Sequence, residues 1–356
     1  MRTLTAGDVL YAALLIVASH TVALAYDELT ATRVLATLPM PNVGYLQEAN
    51  DPALGTLVTR VTDPGGKMPG GVFCKLAYCT HRYSSSQAWN ADQSLLLITN
   101  GCSGFCFLDG QTHVPLFQRP TSSECEWHPT DARLMICVSG RAIYTWAPRS
   151  DTKTIVFVGD DYHDLRFGPN KGNPSRDGSR LVVRAATKSG TLIAFAFDIS
   201  TKTRFADIRL TDLPGINGYC SISPSGRYIF CSQKLSGGIE EGYVFTVDGA
   251  QLQHWTDHHR PGHGDMTVDV DGSDVYVGIS KDNPDKFHII KRRLADGKVT
   301  DLAPYGEGQH ASLRNINLPG WVFVSYGGNS SEVSGQSGRA PFYQEVVALR
   351  IDGSGE

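Results

Sequence analysis

The densest group of chemistry-bearing side chains runs from His258 to Asp265, as His-His-Arg-Pro-Gly-His-Gly-Asp. Three histidines and a carboxylate within eight residues suit a borderline metal ion, because imidazole nitrogen and carboxylate oxygen are the ligands of zinc and manganese. His259, His263 and Asp265, with His310 further along, are the candidate ligands. The ion would be zinc, manganese or calcium in a structural or substrate-binding role. The alternative is a set of histidines that hydrogen-bond to loops or to substrate, with no metal. Two other stretches combine cations with proton-transfer groups: His81-Arg82-Tyr83 and Tyr162-His163-Asp164-Leu165-Arg166. No Gly-x-Ser-x-Gly elbow, phosphate loop or paired-carboxylate motif is present, which disfavours serine-hydrolase and nucleotide chemistry.

The elements that must position these groups follow from a repeat. Apolar runs flank tight-turn signals centred near Asp92, Asp131, Asp177, Ser225, Asp271 and Pro319, spaced 39 to 48 residues apart. Two further strand patterns follow a typical hairpin, as in Thr191–Ile199 and then Phe205–Thr211. Four strands per repeat of this length predict an all-β propeller. Asp-Gly and Ser-Gly at the turns supply the positive φ that short hairpins need. Six blade signals are visible. Leu54–Val61 and Glu345–Ile351 lack partners of their own and are predicted to pair in the last blade, closing the ring. A β-sandwich, the competing all-β architecture, does not repeat at this period.

In such a ring the inner strands begin, and the second strands end, on one face beside the central channel. The residues there are rich in His, Arg, Lys and Tyr, although the chain of 356 residues has a net charge of −4. They include His81 to Tyr83, Glu124, Tyr162 to Arg166, Tyr219, His263 to Asp265 and His310. This predicts a locally cationic pocket with proton-transfer groups. His128, in an inner strand beside Trp127, reads as a packed or hydrogen-bonded residue, and His113 and His288 read as structural residues of outer strands.

The composition is globular, with 41% hydrophobic and 19% charged residues, and no basic block suggests nucleic acid as a partner. Residues 1–25 read as a secretory signal: an apolar run from Leu10 to Val22 ends in Ala23-Leu24-Ala25 before Tyr26-Asp27. The expectation is a secreted or periplasmic monomer, a single propeller over residues 26–356, with no membrane association after cleavage. Eight cysteines fit an oxidising compartment. Cys125 with Cys137, and Cys220 with Cys231, sit almost symmetrically about turns and predict cross-strand disulfides in equivalent hairpins. For Cys74, Cys79, Cys102 and Cys106 the simplest pairing is 74–79 with 102–106, and a zinc site is the competing reading. Asn329-Ser330-Ser331 is an N-glycosylation sequon.

The order of several short motifs resembles the propeller-type polysaccharide lyases: ulvan lyases, oligogalacturonate lyases and a rhamnose–glucuronate lyase. The motifs are Gly55 to Asp63 followed by His81-Arg82-Tyr83, Trp89 to Asp92, Gly172 to Gly178, Gly262 to Asp265, His310 to Asn315 and Pro319 to Val322. The resemblance implies seven blades and cleavage of a uronate-containing polysaccharide or oligosaccharide by β-elimination. In that chemistry a base removes the proton beside the carboxylate, and cations stabilise the enolate-like intermediate. His81 matches the family's first catalytic histidine. The second histidine's position falls at Gly101-Cys102, which carries none. Tyr144, or else Tyr162, is the candidate tyrosine, Arg166 would neutralise the carboxylate, and His163 completes the catalytic set. Arg82, Tyr83, Tyr219 and Arg314 are the candidate substrate-binding residues. The rival functions are a non-catalytic propeller that binds glycan or protein, and a metal-dependent glycan hydrolase.

Overall fold

The computed structural model describes residues 39, 41–52, 55–65, 68–74, 78–83, 85–167, 174–257, 264–280, 288–303, 308–313, 319–326 and 346–355. The chain divides into Met1–Pro41 with Asp51–Thr56, and Asn42–Asn50 with Leu57–Glu356. The signal segment, His259, His263, Arg314 and the sequon lie outside the described residues. In the first unit, the Asp51 N–H donates to the Thr56 carbonyl and closes a short turn.

The second unit holds the sheets. A small hairpin pairs β1 (Glu48–Asn50) with β2 (Leu57–Thr59). Six antiparallel sheets then follow in chain order and form a six-bladed β-propeller. Blade 1 is β3 (Leu95–Ile98), β4 (Phe105–Asp109) and β5 (Pro115–Arg119). Its innermost segment is irregular and attaches through bridges at Thr80↔Asn100 and Trp89↔Leu96. Blade 2 is β6 (Glu124–Trp127), β7 (Met135–Ser139), β8 (Ala142–Ala147) and β9 (Thr152–Val158). Blade 3 is β10 (Tyr162–Arg166), β11 (Arg180–Thr187) and β12 (Leu192–Asp198), with β13 (Thr203–Arg204) and β14 (Ile208–Arg209) both on β12. Blade 4 is β15 (Ile216–Ile222), β16 (Tyr228–Lys234), β17 (Glu240–Thr246) and β18 (Gln251–Asp257). Blade 5 is β19 (Asp265–Val268), β20 (Asp274–Ser280), β21 (His288–Arg293) and β22 (Val299–Ala303). Blade 6 is β23 (Gly308–Ser312), β24 (Trp321–Tyr326) and β25 (Val346–Arg350).

Two expectations are corrected. The described blades number six, not the seven that the family resemblance implied. Among the described residues the ring-closing pairing of Leu54–Val61 with Glu345–Ile351 is not made: β2 pairs with β1, and β25 pairs with β24. The local hairpin closes a far shorter loop than the predicted pairing would, so its entropic cost is lower.

Four of the six turn signals work through a carboxylate side chain. The carboxylates of Asp92, Asp131, Asp177 and Asp271 each accept the backbone N–H two residues on, at 2.9–3.0 Å. This Asx geometry pre-forms the hairpin between inner and second strand. The turns also bind neighbouring blades: Asn90 Nδ2 donates to the Ala132 carbonyl at 2.8 Å, and the Arg176 N–H to the Pro224 carbonyl at 2.8 Å.

Apolar clusters fill the gaps between blades. In β11, Leu181, Val183 and Ala185 join the cluster shared with blade 2, while Val182 joins the one shared with blade 4. A strand buried on both faces explains the continuous apolar runs in the sequence. Two cross-strand disulfides join directly opposed residues, Cys125–Cys137 and Cys220–Cys231. The remaining cysteines pair as 74–79 and 102–106.

Candidate active site at the blade 2 to blade 4 rim

β10 carries a register shift between Tyr162 and Asp164. The bulge turns Tyr162 into the core and leaves His163 exposed. Asp164 and Arg166 then share one side of the strand, and Arg166 lies directly opposite Arg184 of β11. Like charges opposed across a strand pair are unfavourable unless anions meet them. Here two carboxylates do. Asp164 Oδ2 lies 2.5 Å from Arg166 Nε, and Glu124 Oε1, at the start of β6, lies 3.5 Å from Arg166 Nη1. Glu124 Oε2 also accepts the Phe167 N–H at 2.6 Å. Arg184 Nη1 donates to the Gly218 carbonyl of blade 4 at 2.8 Å.

These four charged residues line a cavity of about 390 Å³ whose other walls are Ala185, Ala186, Leu192, Ile193 and Leu210. That size falls within the range of small-ligand pockets. Asp164 and its neighbour Glu124 hold the Arg166 guanidinium above its usual pKa. Burial pushes Arg184 below its usual range, and Glu124 opposes that shift. Both stay cationic, since guanidinium does not deprotonate in proteins. The two guanidinium groups and two carboxylates balance in charge, so the site offers a ligand carboxylate the guanidinium edges that Asp164, Glu124 and the Gly218 carbonyl leave over, offers hydroxyls two carboxylates, and offers a C–H face an apolar wall.

The other predicted residues are distributed differently. Arg82 is tied to blade 2: its guanidinium pairs with Glu126 and donates to Ser86 Oγ, at 3.1 Å from Nε and 2.6 Å from Nη2. It holds two blades together. His81 points its Nε2 at the Ser86 carbonyl, 2.7 Å away. Burial lowers its pKa, against backbone groups of Ser86, Leu97 and Tyr83, so the ring is neutral near pH 7. The Tyr83 and His310 rings meet edge to face at 5.5 Å, which brings blade 1 against blade 6. Burial, reinforced by Glu240, raises the Tyr83 phenol. Tyr219 is buried and its phenol is held well above its usual range by burial, with Tyr276, Asp265 and Glu240 adding to the effect.

Neither candidate tyrosine sits on the cavity. Tyr144 lies on the third strand of blade 2, within the cluster that contains Trp146 and Phe107, and its hydroxyl donates to Ser123 Oγ at 2.7 Å. The Tyr162 ring stacks on Phe195 at 5.7 Å, and its hydroxyl accepts Arg204 Nε at 2.9 Å. Among the predicted metal ligands, buried Asp265 accepts its neighbour's N–H, from Met266, at 2.8 Å, and His310 packs on Tyr83. With every cysteine in a disulfide, no group of three or more His, Cys, Asp or Glu among the described residues could hold a metal ion as it stands. His128 is hydrogen-bonded, as expected: its Nδ1 accepts the Asp131 N–H at 3.0 Å. His113 is in the β4–β5 turn, at φ +60°, and not in a strand.

Arg184 is the functional candidate that sequence reasoning missed. The signal was present as a lone cation inside Leu181-Val-Val-Arg-Ala-Ala186, an otherwise apolar strand.

No protein-family model matches the chain, and no curated protein matches it. Solved structures with similar shape include an oligogalacturonate lyase in complex with manganese, 13% identical over 85% of this chain and 95% of that one, with a TM-score of 0.38. TolB from Acinetobacter baumannii is 16% identical over 74% of this chain, which spans 62% of that one, with a TM-score of 0.39. A chain of the mitotic checkpoint complex is 10% identical over 78% of this chain and 80% of that one, with a TM-score of 0.45.

Proposed function

We propose that this protein binds an acidic saccharide in the Arg166–Arg184 cavity and cleaves it by β-elimination. The observation that carries the reading is the opposed arginine pair on one wall of a ligand-sized cavity. The uronate carboxylate would lie against the two guanidinium groups. Their charge makes the adjacent C5 proton removable, because it stabilises the enolate-like intermediate. A base takes that proton, the C4–C5 double bond forms, the C4–O bond breaks, and the departing oxygen takes up a proton. His163, exposed on the β10 bulge next to Asp164 and outside the cavity's own lining, is the base in this scheme and would have to reach the substrate from the edge of the cavity. Export to an oxidising compartment is part of the proposal, supported by eight cysteines in four disulfides.

A second reading, a glycan-binding propeller without turnover, is favoured by a specific observation. The hydroxyls of Tyr144 and Tyr162 and the Nε2 of His81 are all committed to protein partners.

One experiment separates the two. The mature protein is incubated with ulvan, pectate, gum arabic, alginate and glycosaminoglycans, with and without chelator. Ultraviolet absorbance of the conjugated product is followed, with calorimetric binding measured in parallel. Absorbance growth on one substrate, lost in Arg166→Ala, supports the lyase. Binding without absorbance growth establishes the binding module instead. Neither binding nor growth across the panel defeats both readings.

A further inference from the structure

We infer that Cys74, Cys79, Cys102 and Cys106 become a four-thiolate site for zinc or a similar soft divalent ion when the two disulfides of blade 1 are reduced. The inference does not depend on the saccharide cavity.

The four sulfurs form one cluster. Cys74 bonds Cys79, Cys102 bonds Cys106, and Cys79 Sγ lies 3.7 Å from Cys102 Sγ, so the two bonds abut. The backbones of Cys74 and Cys102 also pair as an antiparallel bridge. Met68, Val72, Leu96, Ile98 and Leu108 pack around them. A tetrahedral zinc with Zn–S bonds of about 2.3 Å needs sulfurs about 3.8 Å apart. The contact between the two pairs already has that separation. Within each pair, Cα atoms 5.8 and 6.1 Å apart leave room for the freed thiols to rotate to it. The sequence offers the ligands as Cys-x4-Cys and Cys-x3-Cys, short loops of the kind that structural zinc sites use. The other two disulfides contrast with this. Each is an isolated pair, Cys125–Cys137 in one apolar cluster and Cys220–Cys231 in another, and neither has a third cysteine in its cluster.

The chemistry balances with a dithiol as reductant. Two dithiol molecules give up four electrons and four protons, become two cyclic disulfides, and leave four protein thiols. One divalent ion then binds as those thiols release four protons. Either form would pin the same piece of chain. Cys79 and Cys102 flank the Thr80↔Asn100 bridge, and Asn100 Nδ2 donates to the His81 carbonyl at 3.0 Å. The segment from His81 to Tyr83 would thus be stapled by covalent bonds in one form and by a metal in the other.

The test uses the full chain, reduced anaerobically with a dithiol that is then removed, and titrated with Co²⁺. One equivalent should produce sulfur-to-cobalt charge-transfer and tetrahedral ligand-field bands, and one equivalent of Zn²⁺ should erase them. The oxidised chain should show neither. Cys79→Ser with Cys102→Ser should abolish the bands, while Cys220→Ser with Cys231→Ser should leave them. Absent bands in the reduced, folded chain, or full bands in the Cys79/Cys102 variant, would overturn the inference. Should that variant not fold, alkylation of the reduced wild-type chain decides. Zn²⁺ should slow modification of these four cysteines by about tenfold or more and spare none of the other four, because only bound thiolates are masked. Equal rates at all eight would overturn it.

Discussion

The substitution Glu126→Gln isolates the ion pair that ties Arg82 into the framework between two blades. The Glu126 carboxylate is 5% exposed and the Arg82 side chain 22% exposed, and the ion pair joins blade 1 to blade 2. Breaking a buried pair by removing one partner costs roughly 3–5 kcal/mol, since the other charge is left without its counter-ion. Water reaches one side of Arg82, and the introduced amide would keep an acceptor oxygen, so the lower end applies. A loss of about 3 kcal/mol multiplies the unfolding constant by roughly a hundredfold. Guanidinium unfolding followed by tryptophan fluorescence reads this directly, with Trp127 next to the substituted position. The midpoint should fall at unchanged slope. Adding Arg82→Met to the variant should restore part of the stability, because the orphaned cation is removed with it. Saccharide affinity in the folded variant should not change. A loss under about 0.5 kcal/mol would put the pair among solvent-screened surface bridges and refute the reasoning.

Three further outcomes are expected. Arg166→Ala and Arg184→Ala should each weaken binding of an acidic oligosaccharide by about tenfold to a hundredfold, the scale of one charge-assisted hydrogen bond, and leave neutral sugars unaffected. Unchanged calorimetric affinity in both would remove the cavity from consideration. Burial pushes the Asp198 carboxyl up, but hydrogen bonds from Ser200, Thr201 and Arg180 outweigh it and hold the pKa down to about 2. Its folded pKa lies below the unfolded value of about 3.9, so its contribution is complete above that pH and is lost as pH falls through about 2. Asp198→Asn should flatten the acid limb of stability against pH in that window, and an unaltered limb would contradict the assignment. Gly178 sits at φ +78°, and a Cβ there would overlap the His128 ring. Gly178→Ala should therefore cost about 1–3 kcal/mol in the same unfolding assay, and a neutral result would show that the hairpin relaxes freely.

The ring was legible because its turns are written in local chemistry. Asp or Ser with Gly recurs where a side chain must cap a hairpin, and β11 reads as unbroken apolar residues because both its faces are buried. The cross-strand disulfides were legible for the same reason: a symmetrical offset about a known turn fixes the register. The site was legible only where position along a strand was enough. Arg166 and Glu124 were found by asking what sits at the rim. Tyr144 came from the family resemblance and Tyr162 also from its place at the rim, and neither source says which side of the strand a ring leaves from. The β10 bulge sends Tyr162 inward and frees His163, and a one-residue slip of that kind has no signature in composition. Arg82 illustrates the converse limit, since its partner Glu126 is 44 residues away and belongs to another blade.

All four disulfides close loops inside a single blade, with partners 4 to 12 residues apart. Covalently, then, the chain is a string of separately knotted beads, and no sulfur bond runs from one blade to the next. Between blades the circle is kept by packing, hydrogen bonds and ion pairs. One protease nick in a connection between blades would leave a ring that still looks whole in a native gel. In detergent the two pieces would part without any reducing agent, and each would carry its own knots away intact.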